Sequence, residues 1–171
     1  PASVAVNTFV SSLAAMAAAV LAPGLSFALP TGLEVRGGRL SVSNPDGSTL
    51  VIDQGTSRAV GDWSSFDIDN GEQVQIRQPN SDSLMLGRVI GGSATDILGA
   101  LTANGGLILV NPHGFLIGSD AVINTASFTA STSDVSVTDF MNGGPINFIE
   151  SGLSAEDSKI INQGSITVSD A

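Results

Sequence analysis

Hydrophobic positions in this chain come in short runs cut by turn-forming residues, most densely between Leu101 and Ser131. The apolar runs there are Leu107–Val110, Phe115–Ile117 and Ala121–Ile123. They are bounded by Asn104-Gly105-Gly106, Asn111-Pro112-His113-Gly114 and Gly118-Ser119-Asp120. Gly supplies positive φ, Pro fixes φ, and Asn or Asp bonds its own backbone, so each break is a corner. The runs are too short for helices and rich in Val, Ile and Leu, which favours strands. Short strands separated by tight corners are the pattern of one turn of a β-solenoid.

The same pattern extends in both directions. Leu33–Val35, Arg39–Val42, Thr49–Asp53 and Ala59-Val60 read as strands, with Asn44-Pro45-Asp46-Gly47 as a turn. Gln73–Gln78 alternates with period two and has one buried face. Ser83–Ile90 and Asp96–Leu101 fit either strands or short helical turns, because periodicity does not separate the two over so few residues. Val135–Gly143 and Gly144–Ser151 read as an excursion or hairpin beside the stack. Lys159–Ala171 is a further strand-turn-strand unit that needs neighbours to bury its apolar face. The pattern points to further turns of the same solenoid.

The first 28 residues differ from the rest. No charged residue precedes Glu34, and Leu13–Ala22 has the length and Ala-rich character of a signal-peptide core. It is too short to span a bilayer. Pro23-Gly24 ends it, and Ser26-Phe27-Ala28 places small residues where signal peptidase reads them. Residues 1–28 are therefore read as a signal-peptide remnant cut after Ala28, and residues 29–171 as one domain, the start of a longer β-helix.

Composition narrows the class. The chain has 171 residues, 42% of them hydrophobic, enough for a substantial core. Only 13% are charged, and 20 glycines favour β structure with many turns. The net charge of −10 and the lack of a basic cluster argue against nucleic acid. There is no Cys, which rules out disulfides and thiolate metal sites.

Candidate chemistry is sparse. Asn111-Pro112-His113-Gly114 serves as a corner and as a candidate recognition signature. His113 is the sole His, with no acid or thiol at metal-ligand spacing, and reads as a solvent-facing turn residue. Asp67 and Asp69 invite an acid–base pair, yet their position before a turn favours solvated rim residues. Asn104, Asn124 and Asn162 suggest stacked amides at solenoid corners. Trp63 with Phe66, and Phe115 with Phe128, read as core or cap. Arg88 lies in an apolar segment, where its stem is buried and its guanidinium needs a partner. No nucleophile elbow, phosphate loop or calcium repeat is found, so no catalytic residue, metal or cofactor is assigned.

Several ordered segments carry a resemblance: Leu29–Gly38 (LPTGLEVRGG), Asp62–Pro79 (DWSSFDIDNGEQVQIRQP), Ser83–Gly91 (SLMLGRVIG), Ile97–Ser131, and Ile160–Ala171 (IINQGSITVSDA). Together they resemble the N-terminal secretion domain of two-partner secretion exoproteins, the group of filamentous haemagglutinin and the high-molecular-weight adhesins. That family usually has Asn-Pro-Asn-Gly where this chain has Asn111-Pro112-His113-Gly114. It often has Leu-Asn-Arg-Val where this chain has Leu86-Gly87-Arg88-Val89.

The resemblance implies an all-β, right-handed parallel β-helix with an N-terminal cap and extra-helical β-hairpins. It implies a secretion-targeting domain of a large adhesin, cytolysin or toxin-delivery fibre. The cognate outer-membrane β-barrel transporter with periplasmic POTRA domains would recognise it, after signal peptidase and the general secretion machinery. The product would be secreted, or displayed on a Gram-negative cell surface, via the periplasm, with any host or neighbouring-cell contact made by the region beyond residue 171. By resemblance, Asn111, Pro112, His113 and Gly114 map onto the signature motif and Arg88 onto a second one. Two other classes remain: a polysaccharide-cleaving β-helix, which needs a line of carboxylates or basic groups, and a carbohydrate-binding module, which needs exposed aromatics. Aromatics make up 5% of the chain and none is Tyr.

Overall fold

The computed structural model describes residues 28–169. The leader reading therefore lies outside the described residues, apart from Ala28. In chain order the elements are β1 (Glu34–Gly37), β2 (Leu40–Ser43), β3 (Thr49–Gln54), β4 (Arg58–Trp63), β5 (Gln73–Arg77), β6 (Leu84–Val89), β7 (Thr95–Ile97) and β8 (Ala100–Ala103). They continue with β9 (Gly106–Val110), β10 (Phe115–Ile117), β11 (Val122–Thr125), β12 (Ser127–Ser131), β13 (Asp134–Val135), α1 (Val137–Asn142), β14 (Phe148–Ile149), β15 (Ile160–Asn162) and β16 (Ser165–Val168).

Strands distant in sequence stack into three long faces. One sheet has the order β1-β4-β6-β9-β12, a second β15-β10-β7, and a third β16-β11-β8-β5-β3-β2. The stacked pairs are parallel and in register, so each turn places like residues above like. Leu50, Val74, Leu101, Ile123 and Ile166 form one such column. The result is a parallel β-solenoid whose lumen is filled by apolar columns, among them Trp63, Phe66, Met85, Leu107 and Phe115. Trp63 and Phe66 meet edge to face at 5.2 Å between ring centroids, as expected of core residues.

The first sheet is apolar on both faces. Met85, Val89, Leu107 and Leu109 fill the lumen, while Val60, Leu86, Ile108 and Val110 face outward under Phe140 and Val135. This explains the ambiguity of Ser83–Ile90, since a strand buried on both sides shows no alternation. It forms strand β6. Two inward glycines of this sheet, Gly61 and Gly87, lie in register and leave room beside the Trp63 indole.

The N-terminal end is closed by a cap. There β1 pairs antiparallel with β4, and β2 antiparallel with β3. Leu29, Leu33 and Leu40 pack against the end of the lumen. The buried Glu72 ties this cap down, accepting the Ala28 amide at 2.9 Å and the Asp69 amide at 2.7 Å.

The excursion after β12 is a hairpin, β13 against β14, with a helix between its strands that the period of the sequence did not signal. Helix α1 begins at Ser136, whose hydroxyl accepts the Asp139 amide, and closes at Gly143.

The stacked asparagines are not observed. Asn124 alternates with the inward-facing Ile123 and Thr125 and is exposed, as is Asn162. Asn104 is also exposed and bonds the Gln78 backbone through both side-chain atoms, at 2.7 and 2.9 Å. The buried side-chain amides are those of Gln54, Gln78 and, at another corner, Asn111. Gln78 donates to Gln54 at 3.1 Å and accepts the Gly105 amide at 2.8 Å. Gln54 and Gln78 bridge stacked turns side chain to side chain, where Asn104 bridges them through the Gln78 backbone.

Candidate recognition site

Asn111 ends strand β9 and is fully buried. Its Nδ2 donates to the Ser93 carbonyl and to Thr95 Oγ1, both at 2.9 Å. Its Oδ1 accepts the His113 amide at 2.9 Å, and its carbonyl accepts the Gly114 amide at 2.9 Å. Pro112 presets the bend between them. The corner locks neighbouring turns together. The Gly114 carbonyl accepts from Thr95, the Pro112 carbonyl accepts Ser158 Oγ at 2.7 Å, and the Lys159 carbonyl accepts from Phe115. Gly114 has φ +91°, and a Cβ there would collide with the Lys159 carbonyl. Of the four motif residues, Asn111 and Gly114 are buried, while Pro112 and His113 are half-buried. His113 is thus less open to solvent than a free turn residue, because the Asn111 carboxamide pulls its backbone inward.

Arg88 lies on the outer face of β6. Its Nε is 3.1 Å from Asp134 Oδ1 in the hairpin and 3.5 Å from Asp62 Oδ1 in β4. Asp62 also faces Arg36 Nε at 3.5 Å. Burial raises the Asp62 carboxyl above its ordinary value, with the Arg88 and Arg36 charges opposing the rise. Arg88 therefore fastens the extra-helical hairpin to the solenoid. It is in register with Val110, next to Asn111 in the chain, so the two motif regions are neighbours through their backbones. Their side chains serve different places: Asn111 the corner, Arg88 the outer face.

A second anchor was missed by sequence reasoning. Arg58 Nη1 donates to the Phe140 carbonyl at 2.8 Å, and its guanidinium carbon stands 5.1 Å from the Phe140 ring centroid. Ser136 and Gly143, a helix start and stop seven residues apart in the chain, were the available signal for the helix it holds.

Asp67 and Asp69 are half-buried rather than solvated rim residues. Asp67 accepts the Asp96 amide at 2.9 Å, and burial raises its carboxyl above the ordinary value. Asp67, Asp69 and Asp96 line one open pocket, where Asp67 accepts the Asp96 amide and Asp69 the Asn70 amide. Among the described residues, no group of three or more His, Cys, Asp or Glu is placed to hold a metal ion.

A capped parallel β-solenoid with a buried corner motif and an anchored outer hairpin defines a class of β-helix module. Comparison with known proteins makes the assignment narrower: the TPS secretion domain family model matches residues 29–170, and the chain belongs to that family. It is 38% identical over 146 residues to a Heme/hemopexin-binding protein of Haemophilus influenzae strain Rd, covering 83% of this chain and 16% of that protein. A second Haemophilus influenzae protein of the same name is 41% identical over 98 residues, covering 57% of this chain and 11% of its own length. The chain thus spans about a sixth or less of these relatives. The crystal structure of the HMW1 secretion domain from Haemophilus influenzae superposes with a TM-score of 0.72 at 33% identity, covering 81% of this chain and 36% of that one.

The domain is therefore the secretion-targeting part of a large exoprotein of a Gram-negative bacterium, and its family implies in general a cognate outer-membrane transporter. Secretion domains of this family are not known as catalysts, and a carbohydrate-cleaving or carbohydrate-binding reading is not favoured.

Proposed function

We propose that this domain reaches the periplasm through the general secretion machinery, loses residues 1–28 to signal peptidase, and is then engaged by the periplasmic POTRA domains of its transporter. The family match over residues 29–170, beginning directly after Ala28, carries this reading. Recognition is assigned to Asn111, Pro112, His113 and Gly114 with Arg88. Their buried members act by shaping: Asn111 and Gly114 hold the corner that presents Pro112 and His113, and Arg88 holds the hairpin beside it. Export is biased forward as the passenger folds outside the cell, each added turn burying apolar surface at about 25 cal/mol per Å². The passenger beyond residue 171, an adhesin, cytolysin, toxin-delivery fibre or a ligand-binding exoprotein like the relatives, makes any contact with other cells.

The test is secretion of Leu29–Ala171 behind an intact signal peptide, with and without the cognate transporter. Release to the medium only with the transporter supports the reading; periplasmic retention in both cases refutes it. His113→Ala is expected to lower release without altering folding.

A further inference from the structure

The solenoid has few sheet edges that another protein can reach. Strand β1 carries Glu34 and Arg36, and Met141 of α1 packs against its Gly37. The outer edge of β7 is taken by Ile68, which bridges to Ile97, and by the Asp67 carboxylate on the Asp96 amide. Strands β12, β15 and β16 lie at the end where a further turn of the solenoid stacks. Strands β13 and β14 are two residues each.

Strand β2 is different. It is four residues long, LSVS, with no charge and no proline, and Ser41, Val42 and Ser43 are exposed. The Gly55 amide donates to the Arg39 carbonyl, so in this antiparallel pair Ser41 and Ser43 bond to β3. Leu40 and Val42 turn their N–H and C=O away from β3, with no backbone partner among the described residues. Edge strands are normally blunted by charge, proline, a bulge or a covering element. This one is left open.

We propose that the open edge of β2 is the docking edge for the transporter, which adds a strand of its own, flanked by lysine or arginine, to Leu40–Ser43. This rests on the recognition reading above and adds a second contact, at the cap, to the one at the Asn111 corner. Charge selects the occupant. Asp46 lies in the turn after β2, and the exposed Asp53 stands opposite Ser41. The Thr49 hydroxyl and the Ser48 amide hold the Asp46 carboxyl below its ordinary value, so it is charged at neutral pH. Of the nearby basic groups, Arg39 is turned back onto the Gly55 carbonyl at 2.8 Å and Arg77 stands in register with Asp53 on the far side of β3, so Asp46 is the acid left facing the open edge. A second copy of the chain carries the same charge of −10 and is repelled.

The experiment is amide exchange by NMR on the secretion domain, alone and with the full-length transporter in detergent, joined to a secretion assay of Val42→Pro. Proline at an outward N–H is tolerated on an edge strand. The expected result is at least about tenfold slower exchange at Leu40 and Val42 in the complex, and secretion of Val42→Pro lowered about tenfold while Trp63 emission stays that of a buried indole. Unchanged exchange at both amides in the complex overturns the proposal, even if Val42→Pro fails to fold. Protection of these amides in the domain alone at high concentration overturns it in favour of self-pairing. Loss of transporter dependence in the unmodified domain would instead remove the recognition reading itself.

Discussion

Asn111 shows how much one side chain settles in this fold. Its carboxamide serves two acceptors on the preceding turn and one amide of its own corner, all out of water. Asn111→Ala leaves those groups unpaired and is expected to cost about 2–4 kcal/mol, read from the urea midpoint of Trp63 emission. Gly114→Ala should cost more, because it combines a disfavoured φ with a backbone collision. Asp67 carries a pH signature. Its folded carboxyl titrates above the unfolded one, so the folded state binds the proton more tightly. Its ionised form weakens the fold at neutral pH, and that penalty is relieved as pH falls into the carboxylate range. Asp67→Asn keeps an acceptor for the Asp96 amide. Its melting temperature should exceed that of the unmodified domain at pH 7, and the gap should close on acidification.

The extra-helical excursion is the element whose behaviour is most open to test. A six-residue helix and a hairpin of two-residue strands have little stability of their own. They are held by Phe140 and Val135 over the outer face of the first sheet, by Arg58 on the end of α1, and by Arg88 on Asp134. Phe140→Ala is expected to cost about 3–5 kcal/mol. Asp134→Asn removes one tether while leaving Arg88 paired with Asp62. It should speed proteolysis within residues 142–157 and leave Trp63 emission unchanged; equal cleavage rates would show that the apolar contact alone holds the hairpin.

At the scale of the whole molecule, stability is shared along the stack. Each turn contacts its neighbours, and the columns through Leu101 and Leu109 run through the lumen. Leu101→Ala is expected to lower stability by about 2–5 kcal/mol. Because the recognition corner and the β2 edge exist only in the folded domain, the same substitution should lower transporter pull-down and medium yield together. Equal yields would separate export from folding.

The sequence by itself determined the class and the periodicity. Corners at Asn111-Pro112-His113-Gly114 and runs such as Leu107–Val110 are local facts of φ, capping and β-branching, and they predict short strands wherever they fall. The aromatic core at Trp63 and Phe66 follows from hydrophobicity alone. Only the tertiary structure decided which faces meet. Ser83–Ile90 is a strand because the hairpin covers the outer side of its sheet, a contact between residues about fifty apart in the chain. The meeting of Gln54 with Gln78 at a buried corner depends on which turns stack on each other. The role of Arg88 depends on Asp134 arriving from the excursion, and the open edge of β2 exists because the chain enters the stack antiparallel. These are long-range pairings, and no local pattern of residues encodes which strand lies beside which.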